Sequence, residues 1–139
     1  MNSLSTAGAS ASYDDSTGIV LIAYRGDITR EDSAAVYGWL DELISAIGVN
    51  AIYGEIFDFR DVTEFMADNL MEARSKSRSL NLRIDTSRFP VAMIVRNFYQ
   101  QEILRGPMQN VPHNTRKRIV HSEGEALDFI MEWHERSAS

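Results

Sequence analysis

The side chains best equipped for chemistry cluster at Asp58-Phe59-Arg60-Asp61, where two carboxylates flank a guanidinium at the end of an apolar run. Paired acids act as general acid and base when their surroundings hold them in different protonation states. The arginine between them works against that role, because a neighbouring positive charge lowers a carboxylate's pKa and keeps it ionised. An ion-paired turn is the simpler expectation. Other catalytic sets are missing. The chain has no cysteine, which removes disulfides, thiolate metal sites and thiol nucleophiles and fits a cytoplasmic protein. His113, His121 and His134 fall at no metal-ligand spacing such as H-x-x-x-H. The sequence has no G-x-S-x-G elbow, Walker loop or G-x-G-x-x-G, so hydrolase, nucleoside-triphosphatase and dinucleotide functions lose their usual support. A receiver-type reading would make Asp58 a phospho-acceptor, but the early acidic pair is missing and Lys117 falls inside the last strand. No cofactor and no metal are expected.

Whatever these residues do, the elements around them set their positions. Residues 51–57 form a mostly apolar run that reads as a central strand covered on both faces. Before it, residues 1–12 are small and polar, expected as a disordered tail, and residues 13–139 form one domain. Tyr13 belongs to a short first strand, residues 14–18 turn, and residues 19–24 are the second strand of a hairpin. Residues 25–28 turn again, and Thr29 caps a helix with Val36, Leu40, Leu43, Ile44 and Ile47 on one face and Gly48 at its end. A second helix covers about 66–82, with Leu70, Ala73 and Leu80 inward. Pro90 opens a strand at 91–95, and a short helix from Tyr99 to Arg105 meets Gly106-Pro107, which bends or ends it. A loop at 111–114 precedes an edge strand at 116–121. The last helix runs from Glu123 to about His134, with Ala126, Leu127, Ile130 and Trp133 on one stripe.

This order predicts a single α/β domain: a mostly parallel sheet of about five strands, an antiparallel edge strand, and helices on both faces. Ligands bind such sheets outside the carboxyl ends of the strands. That rule gathers residues 25–29, 58–63, 96–99 and 121–123 at one edge. The net charge of −6 disfavours nucleic acid as a partner, and no apolar run is long enough to span a membrane. Basic residues Arg74, Lys76, Arg78, Arg83 and Arg88 and acidic residues Asp27, Glu31, Asp32, Asp41 and Glu42 form opposite patches, which suit a homodimer or an acidic partner.

The segment from Ile56 to Phe65 resembles the strand-turn signature of the STAS superfamily, closest to the SpoIIAA-like branch of small bacterial proteins. Gly26-Asp27-Ile28-Thr29 and the segment from Val120 to Ile130 support the resemblance through their order and spacing. It implies a non-catalytic binding or regulatory module that contacts a protein partner or a small amphiphile. In anti-sigma factor antagonists of this type the turn leads to a phosphorylated serine. Here Ala67 or Asp68 occupies that place, so the phospho-switch is absent, and Asp68 is a poor mimic of phosphoserine.

The expected binding residues are Asp27, Asp58, Arg60, Asp61, Thr63, Phe65, Asp68, Arg96, Asn97 and Tyr99. Arg60 and Arg96 offer planar donor forks, and Phe59, Phe65 and Phe98 an apolar wall, which together suit a small acidic amphiphile. The alternative is a small hydrolase or isomerase using Asp58, Arg60, Arg96 and Tyr99. A dry, concave pocket holding a carboxylate of raised pKa favours the enzyme, and a shallow solvated edge favours the binding module.

Overall fold

In the computed structural model the strands are β1 (Ser3–Ser5), β2 (Ala9–Asp14), β3 (Ile19–Ile28), β4 (Gly54–Phe65), β5 (Val91–Ile94) and β6 (Lys117–Val120). The structure describes residues 3–83, 85–109 and 116–138. The strands form one six-stranded sheet in the order β1-β2-β3-β4-β5-β6. β1, β2 and β3 pair antiparallel, and β3, β4, β5 and β6 pair parallel. The helices are α1 (Arg30–Ile47), α2 (Ala67–Arg83), α3 (Phe98–Gln109) and α4 (Glu123–Ala138). The mostly parallel α/β architecture with an antiparallel edge is as expected, and β4 is central.

Odd and even residues of β4 separate two cores, as the strand period requires. Ile56 packs with Ala92, Ile94, Val120, Phe129 and Ile130 beneath α4. Phe57 and Phe59 face the larger core beneath α1 and α2, which includes Val20, Ile22, Leu40, Leu43 and Leu80. Thr29 caps α1 through a capping box with Asp32, and the stripe of Val36, Leu40, Leu43 and Ile44 is buried.

The sequence misplaced several boundaries. Residues 3–5 and 9–12 are paired strand rather than disordered tail. Ala9 and Ala11 are fully buried there, and Gly8 lies so near the Asp32 carboxylate that a Cβ would collide with it, so small residues reflect tight packing. The expected turns at 25–28 and 58–61 are strand as well. β3 and β4 stay paired as far as Ile28 and Phe65, with register shifts at Ala23/Arg25 and Gly26/Asp27 that break the apolar alternation. Gly26 takes the positive φ, 68°, that this irregular stretch needs. α3 runs on through Gly106 and Pro107 to Gln109. On α4 the third inward residue is Phe129, whereas Leu127 is exposed. The loop at 111–114, His113 and the side chain of Arg83 lie outside the described residues.

Candidate functional site

Past the end of β5, β3 and β4 continue as a two-stranded ribbon. β5 last pairs through Ile94 with Asp58, so the outer carbonyls of β4 beyond that point need other donors. Gln100, itself buried, supplies them: its Nε2 donates to Phe59 O at 2.9 Å and Val62 O at 3.1 Å. Arg96 adds Nη1 to Arg60 O at 2.8 Å and Nη2 to Val62 O at 3.2 Å. Its guanidinium fork is thus engaged along the strand edge.

Arg60 is engaged too. Its Nε and Nη2 donate to the two carboxylate oxygens of Asp58 at 3.0 and 2.7 Å, and Nη2 also reaches Glu123 at 3.3 Å. Partial burial pushes the Asp58 carboxyl up, but the hydrogen bonds and charge of Arg60 outweigh it and hold the group below the ordinary carboxylate range. The ion-paired expectation for this acid holds, and Asp58 is poorly suited to general-base chemistry.

The other expected site residues scatter. Asn97 accepts from Gln100 N at 2.9 Å and opens α3. Asp27, Asp61 and Thr63 are exposed on the ribbon, Asp68 is exposed in the first turn of α2, and Tyr99 is exposed on α3. Phe65 is buried, its ring 5.6 Å from that of Phe59, while Phe98 is exposed. The expected apolar wall is therefore split: Phe59 and Phe65 face the interior and Phe98 faces solvent. His121 and His134 meet Gln101 Oε1 at 3.1 Å and Tyr53 O at 2.6 Å.

The interior holds a second site that sequence reasoning missed. α2 packs against α1 rather than flat on the sheet, anchored by Asn69, whose side-chain amide donates to Thr29 O at 3.0 Å and also to Ser33. Beneath α2 lies a cavity of about 410 Å³ lined by Phe57, Phe59, Phe65, Leu80, Phe89 and other apolar side chains. The charged groups lining it are Glu55, Arg116 and Lys117 with Arg74 and Arg78 on α2, and Tyr24, Tyr37, Asn69, Ser77 and Asn81 add uncharged polar groups. Volume and lining match small-molecule pockets in general.

Glu55 stands out. It sits on the central strand, 5% exposed, and its Oε2 has no hydrogen-bond partner. Burial pushes its carboxyl up to about 7, with the charges of Arg116 and Lys117 pulling the other way. Burial, then the charge of Glu55, raises the Tyr37 phenol to about 12. Burial also lowers Arg116 and Lys117. Arg116 spends Nε on Phe89 O at 3.1 Å and lies over the Phe89 ring. The signal for this site was a lone acid within the apolar run of the central strand; Arg116 and Lys117 read as edge-strand charges that discourage further pairing.

No family model and no curated protein matches the chain. Solved structures do. An uncharacterized protein of the DUF3478 family with a SpoIIAA-like fold, from Shewanella loihica PV-4, superposes with a TM-score of 0.62 at 17% identity, covering 91% of this chain and 98% of that one. An anti-sigma factor antagonist from Mycobacterium paratuberculosis gives 0.52 at 14% identity, covering 92% and 99%. The chain therefore has the SpoIIAA-like fold, shared over nearly its whole length with proteins it hardly resembles in sequence.

Proposed function

We propose that this protein is a non-catalytic binding module that holds a small acidic amphiphile in the cavity beneath α2. The observation that carries it is Glu55: a buried carboxyl with an unpaired oxygen, facing an apolar cavity with Arg116 and Lys117 beside it. Buried polar groups are nearly always paired, so a cavity that leaves one open fits a ligand that completes it. An apolar tail suits the aromatic wall, and an acidic head group suits the two cations. The strand-edge residues Asp27, Asp58, Arg60, Asp61, Thr63, Asp68, Arg96, Asn97 and Tyr99 then belong to the face that meets a protein partner. A fold shared with an anti-sigma factor antagonist supports such a regulatory role.

Displacement of a fluorescent fatty acid by decanoate tests the pocket. We expect one site per chain, loss of binding in Leu80→Trp, which fills the cavity, and unchanged binding in Arg60→Ala at the edge. Loss in Arg60→Ala with retention in Leu80→Trp would return the site to the edge. Glu55, a buried carboxyl near neutral pKa in a concave pocket, meets the condition set for the enzyme alternative, and the non-catalytic reading rests on the fold shared with an anti-sigma factor antagonist. Turnover of the bound molecule would establish the enzyme alternative. Self-association through acidic α1 and basic α2 belongs to the same proposal; light scattering that gives a monomer at both low and high salt would exclude it.

A further inference from the structure

We propose that the cavity takes its ligand as an anion together with one proton, Glu55 entering the complex as the neutral acid and donating its O–H to the ligand's head group. The proposal rests on the reading of the cavity as an amphiphile site. It begins from the geometry at the inner end. Glu55 is buried, faces the cavity and has one oxygen without a partner. Among the described residues, no ion pair joins it to Arg116 or Lys117, although both line the same cavity. The other charged and titratable groups around it are Tyr37 on α1, Tyr24 on β3 with Asp32 of α1 behind it, and Arg74 and Arg78 on α2. From α3 the lining residue is the apolar Leu104.

Count the charge at that end. Empty and above about pH 7, two cations face one ionised carboxylate. A ligand carboxylate added beside ionised Glu55 places like charges together where screening is weak, and the repulsion is large. Protonating Glu55 removes the repulsion and leaves the net charge as it was in the empty site. The new O–H then donates to the anion in a charge-assisted hydrogen bond, among the stronger kinds available. The proton comes from solvent and returns when the ligand leaves. Because burial holds this carboxyl near 7, the empty protein exchanges the proton around neutral pH. A neutral alcohol needs no such step, since its own hydroxyl can donate to ionised Glu55.

Titration calorimetry with decanoate and with decanol, in buffers of different protonation enthalpy, tests this. For decanoate we expect uptake approaching one proton per molecule bound at about pH 8, and affinity that weakens about tenfold for each pH unit above about 7. Decanol should take up none and bind with little pH dependence. Glu55→Gln, a neutral isostere, should bind decanoate with the slope abolished. Decanoate bound at about pH 8 without proton uptake, or the same slope in Glu55→Gln, would overturn the proposal. Binding of decanol but not decanoate would overturn the anion while leaving the cavity as a ligand site, and failure of both to bind at any pH would overturn the cavity reading itself.

Discussion

Glu55 and Asp58 lie on one strand, yet their surroundings drive them apart. Glu55 is buried among aromatic rings with cations near but unbonded, and Asp58 is clamped by Arg60. Their stability effects have opposite signs. The folded Glu55 carboxyl, near 7, is raised above its ordinary 4.5, so the folded state holds this proton more tightly than the unfolded chain. Stability from this group is full below about 4.5 and is lost as pH rises to about 7, by at most ~3 kcal/mol. Glu55→Gln should therefore melt close to wild type at about pH 4 and well above it at about pH 8. Equal melting temperatures at both would mean the carboxyl is not buried as described. Asp58 is depressed, so its contribution is present above its ordinary 3.8 and lost as pH falls through the lower folded value. The pair is partly exposed and screened, which limits Arg60→Ala to about 1 kcal/mol near neutral pH. That cost should shrink as Asp58 protonates, and a constant cost across acid pH would assign Arg60 to packing instead.

Gln100 shows how an element depends on a side chain from another. β4 outruns β5, and this buried amide supplies donors to the Phe59 and Val62 carbonyls. Gln100→Ala leaves buried acceptors short of donors and should cost about 1–3 kcal/mol, read as a lower denaturant midpoint at unchanged slope. A midpoint like wild type would mean that solvent or Arg96 replaces it. The sequence announced α1 clearly, since Thr29, Asp32 and the apolar stripe agree with one another. It announced β5 through an unbroken apolar run. The ribbon past Asp58 stayed hidden because register shifts disturb the period on which strand recognition relies, and β1 and β2 because serine and alanine carry little apolar signal. For the edge site, residue types were legible but partners distant in sequence were not. The pairing of Arg60 with Asp58 followed from their neighbouring positions, but Arg96 looked like a free anion fork, and folding spends it on the carbonyls of Arg60 and Val62.

For the whole molecule, the SpoIIAA-like scaffold separates two surfaces that the sequence merged. An edge of charged residues lies past the carboxyl ends of the strands, and an apolar cavity lies beneath α2. No helix among the described residues is long and apolar enough to cross a membrane. Acidic α1 and basic α2 pack side by side and are joined by Arg30 to Glu72 at 3.2 Å, a pair that uses a cation of α1 and an anion of α2 and leaves the excess acid of one helix and the excess base of the other unneutralised. The central claim is that a ligand enters the cavity rather than the edge. Backbone amide NMR during titration with decanoate locates it most directly. Saturable shifts should appear at Glu55, Phe57, Phe59, Ser77 and Lys117, with Asp61 and Arg96 to Tyr99 little changed. Shifts confined to that edge, or no saturable shifts at all, would contradict the account.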